Sequence, residues 1–151
     1  MHLKPQSTGP ILIDSHCHLD FAVFDNDRTD VITRANAEGV SHFIVLGVSV
    51  EQWPNVHELT QQYSQVSGAV GIHPYFLDAY KALSSSQRTK QLNDDLSLLF
   101  EAGQAPWVCG IGECGIDGFV AKQHENESTG LDIAFQQHLF EYYEILIHRT
   151  H

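Results

Sequence analysis

Short apolar runs and amphipathic stretches take turns along this chain. The runs Ile11–Asp14, Ser41–Leu46, Gly68–Ile72, Trp107–Ile111 and Glu144–His148 have the length and composition of strands. Between them the period lengthens to that of a helix. Asp30–Glu38 carries Val31, Ile32 and Ala35 on one face and stops at Gly39, a C-cap glycine. Glu51–Gln65 carries Trp53, Val56, Leu59 and Tyr63. Ser86–Ala102 places Leu92, Leu96, Leu99 and Phe100 on one stripe and ends at Gly103. Leu131–Tyr143 carries Leu131, Phe135 and Leu139.

Strands that are nearly continuously apolar, alternating with helices, predict a parallel sheet covered by helices. Two architectures take that pattern, a doubly wound open sheet and a (β/α)8 barrel. No Gly-x-Gly-x-x-Gly follows the first run, which weakens the nucleotide-binding form of the open sheet. Polar, reactive residues instead follow several runs at their C-terminal ends, where barrel enzymes keep their active sites. A complete barrel takes ~250 residues, so this chain supplies about the first five units of one. The expectation is an α/β fold of the TIM-barrel (β/α)8 type, one domain over 1–151, with the polar residues 1–9 as a flexible N-terminus.

Composition narrows the function classes. No run approaches the ~20 apolar residues of a membrane span. Met1–Gly9 has no signal-peptide core, and Cys17, Cys109 and Cys114 show no paired spacing, so a reduced, cytoplasmic chain is expected. The formal charge of −11 argues against holding nucleic acid by phosphate neutralisation alone. An anionic substrate would have to be gripped locally, through bound metal. Of the ten histidines, His2, His42, His57, His124 and His138 stand alone and are expected at the surface.

Four segments carry chemistry. In Asp14-Ser15-His16-Cys17-His18 the i, i+2 spacing puts both imidazoles on one face of a strand, able to grip one cation. Gly71-Ile72-His73-Pro74, taken alone, reads as a Pro-terminated turn in which His73 merely sits. Gly110-Ile-Gly-Glu113-Cys-Gly-Ile-Asp117 sets one carboxylate at a strand end among glycines and a second four residues on; alone, a glycine-rich turn serves equally well. Ile145-Leu-Ile-His148 reads as an apolar strand ending in histidine. On a barrel His16, His18, Glu113 and His148 would converge on one rim, a reasonable ligand set for one or two divalent ions that activate water.

These segments, in this order and with Gln136 and Gln137 ahead of Ile147-His148, resemble the TatD family of metal-dependent hydrolases over essentially the whole chain. Gly-Glu-Cys-Gly-Ile-Asp is the most specific of them. The resemblance implies an amidohydrolase-like TIM barrel with two divalent ions (Mg, Mn or Zn) and deoxyribonuclease activity, DNA being the substrate. It implies one metal on His16 and His18, Glu113 as the catalytic bridge between both metals, and His148 on the second. His73 then becomes a substrate contact near the rim and Asp117 a supporting partner.

Two departures accompany the resemblance. The family's later histidine and its last-strand aspartate, which positions the attacking water, match nothing in this sequence. The chain is therefore expected to be truncated and to turn over little. Moreover, a helix to Tyr143 followed by a strand from Glu144 leaves no connecting loop, where ~2–6 residues are usual. That points to residues missing between about Phe140 and Glu144, and allows His151 to compete with His148. An open barrel edge predicts self-association. The leading function is phosphodiester hydrolysis of DNA from a 3′ end. The alternatives are hydrolysis of aminoacyl-tRNA esters, and a catalytically silent metal-binding or interaction module.

Overall fold

A computed structural model of the chain describes residues 11–127 and 129–149; the predicted flexible segment 1–9 lies outside them. Four strands, β1 (Leu12–Cys17), β2 (Val40–Gly47), β3 (Val66–Val70) and β4 (Val108–Ile111), alternate with α1 (Arg28–Ala37), α2 (Trp53–Gln62) and α3 (Ser85–Ala102). Two further helices, α4 (Gly118–Asn126) and α5 (Ile133–Arg149), follow β4. The strands form one sheet in the order β1-β2-β3-β4, each pair parallel. This is an α/β fold and a partial (β/α)8 barrel, with sequence neighbours pairing as in the complete one.

Alternation along the strands decides what the helices cover. In β2, Phe43 and Val45 are buried beneath α1 and α2, where they meet Ile32, Val56, Leu59 and Val66. A second core lies against α3 and α5, and joins Trp53, Val70 and Ile72 to Leu92, Leu96, Leu99, Leu139 and Tyr143. The predicted stripe of α3 holds for its three leucines, whereas Phe100, off the centre of that face, is 39% exposed. Helix ends follow local chemistry. Gly39 takes the positive φ (99°) that ends α1. Ser84 and Gln87 form a capping box at the start of α3. Gly103 ends α3 in ordinary helical geometry; its hydrogen makes room for Ile111, whose Cδ1 would lie 2.6 Å from an added Cβ.

Three sequence expectations give way. The run Glu144–His148 is helical, being the last turns of α5, so the strand predicted there does not form. Nothing between Ile133 and Arg149 is Gly or Pro, and the apolar spacing of Leu139 and Tyr143 carries the helix onward; local β-propensity yields to that continuity. The loopless junction near Phe140–Glu144 disappears with the strand. Next, α4 was not anticipated: it is short and follows a glycine-rich loop, yet Val120, Ala121 and His124 bury one of its faces. His124 is accordingly in the core at 4% exposure, not at the surface, and His42 is half-buried with Nε2 2.8 Å from Ser67 Oγ. Finally, the apolar run opening β1 is exposed: Ile11, Leu12 and Ile13 are 81, 46 and 60% accessible. Among the described residues no strand lies beside that edge. No helix among them is long and apolar enough to cross a membrane.

Candidate metal centre

The C-terminal ends of three of the four strands build one cluster. β1 delivers His16 and, one residue past its end, His18; the segment after β3 delivers His73, and the loop after β4 delivers Glu113. Hydrogen bonds hold these segments in shape and tie them to the sheet. Asp14 Oδ1 accepts the His16 amide at 3.1 Å. The His73 amide donates to the Val48 carbonyl beyond β2 (2.9 Å), and the Gly112 amide donates to the Val70 carbonyl at the end of β3 (2.8 Å). Gly71 allows the last approach. A Cβ there would run into the backbone of Gly112 and Glu113, so only glycine lets the two loops touch.

Glu113 is the hub. Its Oε1 lies 3.3 Å from His16 Nε2 and 3.8 Å from His73 Nε2, and its Oε2 lies 3.1 Å from His18 Nε2. Among the described residues, His16, His18 and Glu113 form a group whose donor atoms all lie within 4.8 Å of one another. The two imidazoles meet edge to face at 5.5 Å between centroids.

Hydrogen bonding at the far ring nitrogens sorts the histidines. His18 Nδ1 lies 3.1 Å from the Leu46 carbonyl, which only an N–H can satisfy. A neutral His18 therefore turns a lone pair from Nε2 toward Glu113. A lone pair and a carboxylate oxygen at 3.1 Å repel unless positive charge stands between them, so the donor set fits a cation. His73 is the reverse case. Its Nδ1 accepts the Tyr75 amide at 3.1 Å, so a neutral His73 carries its proton on Nε2 and presents a donor toward Glu113.

The structure thus brings together His16, His18, Glu113 and, at the margin, His73. Asp117 sits elsewhere in the loop: its Oδ1 accepts the Phe119 and Val120 amides at 2.8 Å each and caps α4. Its own amide donates to Gln136 Oε1 at 2.7 Å, and Gln136 is fully buried on α5. The side chains of His148 and His151 lie outside the described residues. Sequence reading passed over the Leu46 carbonyl, whose role no side-chain pattern encodes. It also passed over Phe21, Tyr75 and Phe76, which surround the histidines; an aromatic next to a metal-type motif was the available signal.

The chain is 31% identical over 107 residues to the uncharacterized metal-dependent hydrolase YjjV of Escherichia coli K12, a match covering 71% of this chain and 38% of the relative. It is 32% identical over 106 residues to the 3′-5′ ssDNA/RNA exonuclease TatD of Citrobacter koseri, covering 70% and 36%. The crystal structure of YjjV, a TatD homolog from E. coli, superposes with a TM-score of 0.59 at 28% identity, covering 88% of this chain and 48% of that one. The chain thus spans less than half the length of the relatives it matches. The family model described as TatD related DNase matches residues 13–143, and with that span the chain belongs to the TatD-related DNase family.

Proposed function

We propose that His16, His18 and Glu113 hold a divalent ion as part of a site that hydrolyses phosphodiester bonds at the 3′ end of DNA, with low turnover from this chain by itself. The observation that carries this is the pair of imidazole nitrogens aimed at one carboxylate across 3.1–3.3 Å. Two imidazole donors suit zinc at this position, while the carboxylate and water also suit manganese or magnesium. A bound ion of this kind supplies Lewis-acid polarisation of a phosphoryl oxygen and makes water a nucleophile near neutral pH. The chain's own residues do the rest. The Leu46 carbonyl orients His18, and Glu113 presents one carboxylate to both imidazoles; with His148, as the family resemblance implies, it would help to hold a second ion. His73 presents its Nε2 proton to a phosphoryl oxygen, and Asp117, by capping α4, fixes the end of the loop that carries Glu113. The negative net charge is compatible with an anionic substrate because the cation provides the positive field. The setting we propose is cytoplasmic, and the open β1 edge, with Ile13 60% exposed, is the surface through which copies associate.

The test measures metal per chain by plasma mass spectrometry for wild type and Glu113→Ala, then 3′-end release from labelled single-stranded DNA in manganese. Near-stoichiometric metal lost in the variant, with weak nuclease activity that His16→Ala abolishes, is the expected result. Metal without turnover would leave a silent metal-binding module. No metal in either protein refutes the site.

A further inference from the structure

We infer that Tyr75 and Phe76, backed by Phe21, form a stacking platform for the nucleobase next to the scissile phosphate; this rests on the nucleic-acid reading of the site. Three aromatic rings abut the imidazoles that face Glu113. Phe21 stacks on His18 with centroids 4.8 Å apart and planes 22° from parallel. Phe76 meets Phe21 edge-on at 6.2 Å and His73 at 6.1 Å, and Tyr75 lies 5.7 Å from His73. Phe21 is half-buried behind His18, whereas Tyr75 and Phe76 are 58% and 36% exposed.

Two large exposed aromatics beside a polar cluster leave apolar surface in water that a ligand would cover. The ligand must suit what lies around it. Among the described residues Glu113 pairs with imidazoles alone, and Arg28, which donates to the Phe21 carbonyl at 3.3 Å, is already paired with Asp25 at 2.7 Å. Eight Lys and Arg against 19 Asp and Glu make a cationic track along the strand a poor means of binding. Base stacking needs no charge and accepts any base, since every base has a π-face. It also suits an end-directed reaction: His73 touches both Phe76 and the Glu113 side of the cluster, so base and phosphate of one nucleotide can be held together. Phe21 stiffens the arrangement by packing between His18 and Phe76, which ties the platform to a proposed metal ligand.

The experiment is fluorescence anisotropy of the 151-residue chain in manganese, with a 5′-fluorescein thymidine octamer of phosphorothioate backbone and the same octamer with an abasic 3′ residue. Wild type is expected to bind the intact octamer about ten-fold more tightly than the abasic one. In the double variant Tyr75→Leu/Phe76→Leu, which keeps apolar bulk and loses the rings, the gap closes to about two-fold with the abasic affinity unchanged. Equal binding of both octamers by wild type, or a gap that survives the double variant, overturns the platform while leaving the nucleic-acid reading in place. No binding of either octamer overturns both.

Discussion

Replacing Tyr143 by Phe tests how α5 supports the site. The Ile72 amide donates to the Tyr143 hydroxyl at 2.6 Å, and both residues are buried, at 2% and 1% exposure. Ile72 immediately precedes His73, so this one bond ties the helix to the loop that enters the cluster. Phenylalanine keeps the ring and nearly all of its volume, so the cavity contribution is small. The cost is the Ile72 N–H left buried without an acceptor, about 1–3 kcal/mol. For a chain of this size, ~2–4 °C of melting temperature accompanies each kcal/mol, so a drop of about 4–8 °C is expected at the midpoint of that range. Thermal melts followed by circular dichroism, with urea titrations for ΔG, give the value. Tyr142→Phe is the control: its side chain is 39% exposed and the change should stay within ~0.5 kcal/mol. Amide exchange at Ile72 should accelerate in Tyr143→Phe alone. A Tyr143→Phe protein as stable as the control variant would refute the reasoning.

Three further outcomes are expected. Gly71→Ala should lower stability by about 1–3 kcal/mol and weaken metal binding, because the new methyl pushes the Glu113 loop off β3; unchanged melting and metal content would contradict that close approach. Burial, with the Asp95 carboxylate at 2.5 Å, raises the Tyr80 phenol above its ordinary value, and burial raises Tyr143 likewise. The folded state then keeps protons that the unfolded state releases above pH ~10, so stability is intact below that pH and falls above it, by up to ~1.4 kcal/mol per pH unit for each phenol. Tyr80→Phe should flatten the slope of urea-unfolding ΔG between pH 9.5 and 11, values chosen around that ~10 midpoint. Ile13→Lys should shift sedimentation toward monomer by placing charge on the open edge; an unaltered distribution would move self-association elsewhere.

Periodicity made the first four strands and three of the intervening helices legible, because each buries one face or one stripe, and the spacing of Leu92, Leu96 and Leu99 records that burial directly. The ends were less legible. Ile145-Leu-Ile147 has the composition of a strand, and only its continuation from Leu139 and Tyr143, packed on the second core, makes it a helix. Val120 and His124 sit on the buried face of a helix too short for its period to stand out. His-x-His and Glu113 were legible because strand ends on one sheet edge point to one place, whatever the loops between them do.

Ligand chemistry and strand period are local properties, so the order of residues alone fixes which donor atoms are available and that parallel strands carry them to a common edge. How those donors are used depends on the fold. The Leu46 carbonyl turns His18 Nε2 inward, the Tyr75 amide leaves His73 a donor, and Gly71 lets the Glu113 loop close on β3. Each depends on a partner from another segment of the chain. Long-range contact of that kind leaves no periodic trace in the order of residues.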